Sequence, residues 1–272
     1  MTAQQERPEV ATFDYHEVTD EPRTSGLQRL GAMPYKLTAQ TFARHLAAIA
    51  TSPVIPELVD AIDLTEPGRH LLLTFDDGGK SAVYASEQLS RRGWRAHFFI
   101  ITNRIGTRTF LDATEIRYIR SQGHLVGSHS HTHPNIFKEQ SFESMVREWR
   151  VSCDRLAQLL GEACPTAAVP GGDISRRVLE SADAAGLSHL FTCEPQLTPD
   201  RVGRCWILGR FLPKVGTTDA QIRALAQFRR WGRALLVRRL KVLGRVVAPL
   251  PYRLLVRHRT HEFPAPPPPS SA

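Results

Sequence analysis

The stretch Leu71 to Asp77 reads LLLTFDD and runs directly into Gly78 and Gly79. Such a run limits what the chain can fold into. An apolar segment that stops at two adjacent carboxylates and two glycines has the pattern of a buried parallel strand carrying chemistry at its C-terminal end. Leu71 to Phe75 supply the buried body, and strand alternation sends Asp76 and Asp77 in different directions. The glycines permit a sharp turn and a close approach of backbone to ligand. Read alone, the run also fits a strand end followed by an Asx turn with both acids in solvent.

A second cluster shifts the balance. His129, His131 and His133 fall in the run HSHTHP, after a short strand-like Leu125 and Val126 and before a turn at Pro134. His129 and His133 can face one ion if the segment makes a single helical turn, and neutral imidazoles suit zinc and related divalent metals. His131 is out of phase with that pair and is expected beside the site or exposed. A lone HxxxH is more often solvated surface. Combined with Asp-Asp at another strand end, it supplies three metal ligands, an open position for water and a spare carboxylate for proton transfer.

The remaining pattern alternates strands and helices. Thr12 to Val18 is strand-like and ends near His16, and Glu21 to Pro34 reads as loop. Thr38 caps a helix over 39–50, followed by a Pro-rich connection over 52–69. Helices are expected over 81–92, from Asp112 to 121, over 142–160 and from Ser175 to 185, with glycines ending three of them. Strands are expected over 96–101, 167–170, 189–192 and 205–208. This spacing predicts an α/β fold with a mainly parallel sheet or barrel, in which Asp76, Asp77 and His129 fall on strand C-terminal ends.

Composition adds bounds. The 272 residues accommodate one large α/β domain or two small ones, and 42% hydrophobic with 23% charged content is that of a folded chain. Cys153, Cys164, Cys193 and Cys205 are widely spaced with no CxxC pair, which argues against a zinc ribbon or a disulfide framework. The N-terminus lacks a basic-then-apolar leader pattern, and no run reaches the roughly 18 apolar residues that span a bilayer. The expected location is therefore cytoplasmic.

The net charge of +8 is concentrated late in the chain. Residues 221–260 carry Arg223, Arg229, Arg230, Arg233 and further cations without one acid, interleaved with Leu, Val, Phe and Trp. That is a basic amphipathic helix, or two, broken near Pro249 and Pro251. Three readings fit it: a peripheral segment on the anionic inner face of a membrane, a helix packed on the barrel with a solvated basic face, or a nucleic-acid surface. No nucleic-acid motif accompanies the charge, so a nucleic-acid partner is not expected. The expected boundaries are a flexible N-terminus over 1–11, a catalytic domain over 12–215, the basic helical extension over 216–260 and a Pro/Ser-rich disordered tail over 261–272.

TFDDG, then HSxxH, then a Pro-Gly turn after a strand, in that order, resembles the polysaccharide deacetylase (NodB-like) family, carbohydrate esterase family 4, over roughly Phe13 to Leu212. The resemblance implies a distorted, incomplete (β/α) barrel. It implies hydrolysis of N-acetyl groups from amino-sugar glycans with one divalent metal, zinc first, with Co2+, Ni2+, Fe2+ and Mn2+ as alternatives. Asp76 then matches the general base, and Asp77, His129 and His133 match the metal triad. Ser130 matches a residue that braces the histidine loop.

The chemistry agrees with that assignment. Amide hydrolysis needs an activated water, a base and a donor for the oxyanion, and the Gly171 N–H after Pro170 is the candidate donor. Two features depart from the family. Ala168-Val169-Pro170-Gly171 stands where Arg-x-Pro-Tyr is usual, so the base-orienting Arg is missing. The late Leu-x-His acid is also not found. Tyr15-His16 resembles an N-terminal motif of permuted relatives, which makes His16 the expected general acid.

The expected function is de-N-acetylation of an amino-sugar polysaccharide, oligosaccharide or lipid-linked glycan in exopolysaccharide or surface-glycan synthesis. One alternative is a catalytically impaired relative that binds glycan or acts as a scaffold. Another is a deformylase or O-deacetylase on the same scaffold.

Overall fold

The computed structural model describes residues 7–172, 174–247, 256 and 258–263. The apolar runs form the strands, and the segments with N-cap residues form the helices. The first half contains β1 (Glu9–Tyr15), β2 (Glu17–Val18), β3 (Lys36–Leu37), α1 (Ala39–Ile49), β4 (Pro56–Glu57) and β5 (Arg69–Phe75). Then come α2 (Ala82–Ser90), β6 (His97–Ile100), α3 (Ala113–Ser121), β7 (Leu125–Ser128) and α4 (Phe142–Leu160). The rest contains β8 (Thr166–Ala168), α5 (Arg176–Ala185), β9 (His189–Phe191), β10 (Asp200–Val202), β11 (Cys205–Leu208), α6 (Asp219–Ala226) and α7 (Trp231–Val247). Thr38, Ser141 and Ser175 accept capping hydrogen bonds, and Asp112 forms a capping box with Glu115.

The main sheet runs β1-β5-β6-β7-β8-β9-β11-β10, with β4 also paired to β5. All pairings in it are parallel except β10 with β11. The sheet curls until its two sides meet. Beyond β11, Phe211 donates to the Thr12 carbonyl at 2.9 Å and accepts from the Asp14 N–H at 2.8 Å. This closure gives the expected distorted (β/α) barrel, and it brings the residues after β11 against the C-terminal ends of β1 and β5.

Phe13, Leu73, Phe75 and Phe98 from the strands pack with Phe42 and Leu46 of α1 in the largest buried cluster. Ile222 and Leu225 of α6 and Trp231 at the start of α7 belong to the same cluster. Two expected boundaries shift as a result. β1 begins at Glu9, inside the stretch expected to be flexible, because Glu9–Tyr15 pairs along its whole length with β5. The packed unit continues past residue 215 through α6 to Trp231, with Ile222, Leu225 and Trp231 buried in the main cluster, and Arg238 of α7 is still tied to Glu194 at 2.8 Å. The expected break at Pro249 and Pro251 and most of the Pro/Ser-rich tail lie outside the described residues. All four cysteines are free. No helix among the described residues is long and apolar enough to cross a membrane.

Candidate active site

β5 ends where its register with β1 stops, and the Asp76 N–H donates to the Tyr15 carbonyl at 2.9 Å. Asp77 follows in the left-handed region (φ 73°) and Gly78 continues there (φ 76°). That conformation is rare for a residue other than glycine and marks a constrained, functional position. It turns the two carboxylates apart, and both are almost wholly buried.

His129 follows β7, and its loop is not the helical turn that would pair two histidines four residues apart. Ser130 and His133 have positive φ (62° and 54°), and hydrogen bonds hold the loop instead. Ser128 Oγ accepts from the Ser130 N–H at 3.1 Å and donates to Ser152 Oγ at 2.7 Å, and Ser130 Oγ accepts from the His133 N–H at 3.1 Å. His131, expected beside the site or exposed, is half-buried, with Nδ1 2.9 Å from Thr102 Oγ1.

The result is a convergence. Asp77 Oδ1 lies 3.5 Å from His129 Nε2 and 3.7 Å from His133 Nε2. Ligand atoms about 3.4 Å apart are what a tetrahedral ion with bonds of about 2.1 Å requires. His129 Nδ1 is 3.0 Å from the Ala168 carbonyl, which takes its proton and leaves Nε2 as a lone-pair donor. Burial lowers both histidines, so both are neutral. Burial raises Asp77 to about 7 despite the opposing Arg29, leaving a carboxyl that a cation would favour as carboxylate. This donor set fits a divalent ion.

Asp76 lies beside the triad, its Oδ2 3.6 Å from His129 Nε2. Arg210 instead supplies the cation absent from the expected position beside Asp76. It donates Nη1 to Asp76 Oδ1 at 2.7 Å and Nη2 to Oδ2 at 2.9 Å, while Nε reaches the Thr192 carbonyl at 3.1 Å. Nη1 also meets Thr74 Oγ1 at 3.0 Å and Asp14 Oδ1 at 3.0 Å. Burial pushes Asp76 up, but Arg210 and then His129 outweigh it and hold the carboxyl well below the usual range. Asp14 moves the other way, with burial raising it further than Arg210 lowers it. Donor atoms of Asp14, His16 and Asp76 also lie within 4.8 Å of one another. In that group the guanidinium is the cation, because it already occupies both Asp76 oxygens.

His16 stacks on Tyr35 at 4.7 Å, and its Nδ1 is buried without a hydrogen-bond partner among the described residues. Burial lowers it to about 4 against the pull of Asp76. The loop behind it is fixed by Glu17, whose buried carboxylate accepts from Ser25 Oγ and, at 2.6 Å, from Ser81 Oγ. Gly171 lies in the tight turn after β8, at φ 67°.

Residues 63–190 match the family model described as polysaccharide deacetylase. The chain carries a polysaccharide deacetylase domain. It is accordingly a hydrolase of amide bonds. No curated protein matches the sequence. Solved structures share the fold of this deacetylase. IcaB from Ammonifex degensii is 22% identical, with a TM-score of 0.64 over 82% of this chain and 98% of that one. A polysaccharide deacetylase from Bacillus cereus is 18% identical, with a TM-score of 0.68 over 81% and 70%. A de-N-acetylase from Aggregatibacter actinomycetemcomitans is 16% identical, with a TM-score of 0.66 over 80% and 99%.

Sequence reasoning missed Arg210 and Arg29. The signal for Arg210 is present: Trp206-Ile207-Leu208-Gly209-Arg210 is a second apolar run ending in charge. Arg29 lies in a loop with no such signal, donates to Asn135 Oδ1 at 3.4 Å and faces Asp77.

Proposed function

We propose that this deacetylase is a metal-dependent de-N-acetylase of an amino-sugar glycan, acting in exopolysaccharide or surface-glycan synthesis. The convergence of Asp77, His129 and His133 beside a carboxylate held by Arg210 carries the reading. Those three residues would hold one divalent ion, with zinc suiting the donor set best. When bound, such an ion polarises the acyl carbonyl and makes water nucleophilic near neutral pH.

The chain's own residues supply the rest. Asp76, ionised and aimed by Arg210, takes a proton from the attacking water. His16 is neutral at rest. It receives the proton that Asp76 took from the water and delivers it to the leaving nitrogen, the two side chains having donor atoms within 4.8 Å of each other. The Gly171 N–H donates to the oxyanion. The impaired-relative alternative rests on the absent base-orienting Arg and the absent late His; Arg210 on Asp76 answers the first, and His16 is the proposed answer to the second.

Metal analysis and acetate release from acetylated amino sugars test the reading together. His133→Ala should lose most bound metal. Asp76→Asn should keep it and lose about 10²- to 10⁴-fold in kcat. Full metal and full rate in the His133 variant would refute the ligand assignment.

We also infer peripheral binding to anionic membrane through α7, the surface at which a lipid-linked substrate is met. Leu236, Leu240 and Leu243 are exposed at helical spacing among Arg side chains. The full chain should float with anionic vesicles, and a variant with these three leucines changed to Ser should not. Equal partitioning would remove the inference.

A further inference from the structure

Beside the catalytic groups lies a cavity of about 540 Å³, within the roughly 300–1,000 Å³ of small-ligand sites. Its walls are the segment from Arg210 to Thr218, helix α6 and the first turns of α7. Two lining residues join it to the chemistry. Arg210 holds Asp76, and Tyr35 stacks on His16. The lining is basic: besides Arg210 it contains Lys214, Arg230, Arg233 and Arg238, and no carboxylate among the described residues.

Arg210 is matched by Asp14 and Asp76, and Arg238 by Glu194 at 2.8 Å. Lys214 lies over the Tyr35 ring at 4.7 Å, and Arg230 and Arg233 stand exposed at the rim. Positive charge facing a concave site calls for a ligand of at least two negative charges, and guanidinium forks match phosphoryl oxygens.

We propose that this cavity binds the phosphoryl group of a phosphate- or diphosphate-linked amino sugar while the acylamino group is presented to Asp76. The proposal rests on the de-N-acetylase reading and specifies its substrate. In a 2-amino sugar the anomeric oxygen sits on the carbon next to the one bearing the acylamino group. An anomeric phosphoryl group therefore lies within one sugar unit of the scissile amide, and this cavity shares Arg210 with Asp76. The shared chemistry has two sources, a nucleotide-linked or a polyprenyl-linked sugar.

The test uses the full-length, metal-loaded protein and the variant Arg230→Asn/Arg233→Ala. Asn is chosen because residue 230 has φ 67°, which Asn tolerates. Inorganic pyrophosphate should bind the parent protein, and the variant should bind it at least about 10-fold more weakly by calorimetry. Acetate release is then measured from UDP-N-acetylglucosamine, from polyprenyl-diphosphate-N-acetylglucosamine in detergent and from a neutral N-acetylglucosamine oligomer. The variant should lose about 10-fold or more in kcat/KM on the phosphoryl substrates and stay within about 2-fold on the neutral one. The better phosphoryl substrate identifies the source.

No pyrophosphate binding, or equal losses on charged and neutral substrates, would overturn the proposal. Pyrophosphate binding that the variant weakens, with acetate released from none of the three sugars, would instead support the anion site and overturn the de-N-acetylase reading.

Discussion

Arg210 is fully buried and serves two carboxylates, so its removal separates orientation from metal binding. Arg210→Ala should keep the metal and lose about 10²- to 10³-fold in kcat, because Asp76 loses its clamp. It should also lower stability by about 3–5 kcal/mol, the usual cost of stranding a buried charge. Arg210→Lys should fall between parent and Ala, since an ammonium restores charge without the fork. Metal content, kcat and urea midpoints of the three proteins check this.

The adjacent glycines Gly171 and Gly172 give a second residue-scale contrast. A Cβ on Gly172 would lie 2.8 Å from Cys193 Sγ, whereas on Gly171 it would meet only the Asn135 carbonyl at 3.6 Å. Both have positive φ. Gly171→Ala should therefore cost about 1 kcal/mol of backbone strain, and Gly172→Ala roughly 1–3 kcal/mol more from the clash. Equal urea midpoints would refute the packing difference.

At the scale of elements, buried histidines tie strands and helices together as neutral rings. His97 in β6 places Nδ1 2.9 Å from the Leu73 carbonyl of β5, and Nε2 accepts the Val59 N–H at 3.0 Å. His124 accepts the Ala96 N–H on Nδ1 at 3.2 Å and places Nε2 3.1 Å from the Ser86 carbonyl of α2. One nitrogen donates and the other accepts, so protonation breaks a bond in each case. Burial lowers both to about 4. Between pH 6.5 and about 4 the unfolded chain binds protons that the folded chain does not, so stability falls as pH falls through that window. His97 alone contributes a loss of about 3 kcal/mol by pH 4. Against a His97→Gln variant, which shares the carboxyl background, the parent's urea midpoint should decline more steeply between pH 7.5 and 4.5, and parallel profiles would refute the neutral-ring account.

For the whole molecule, the closure of the barrel decides where the catalytic unit ends. A chain cut after Thr218 would lack Ile222, Leu225, Phe228 and Trp231, all buried in the main cluster. Each such side chain contributes about 1.5–3 kcal/mol by burial, so the four together are comparable to the roughly 5–15 kcal/mol that stabilise an ordinary domain. That chain should be unfolded by circular dichroism, whereas one ending at Val247 should fold. A cooperative thermal transition in the shorter chain would show that α6 is dispensable.

The sequence by itself determined what is local. The period of apolar residues, the capping residues at Thr38, Asp112, Ser141 and Ser175, and the acid and histidine motifs at strand ends are set by neighbours along the chain. They were enough to read the helices, most strands and three of the residues that converge, Asp77, His129 and His133. Only the tertiary structure decided which distant charges meet. Arg210 reaches Asp76 because the sheet curls until Phe211 pairs with β1. The histidines converge because Ser130 and His133 adopt left-handed backbone, and the basic stretch divides because α6 and Trp231 are covered by the barrel whereas Leu236, Leu240 and Leu243 of α7 stay exposed. Periodicity records that a residue is buried, whereas its partner across the barrel depends on sheet closure, a property of all the strands together.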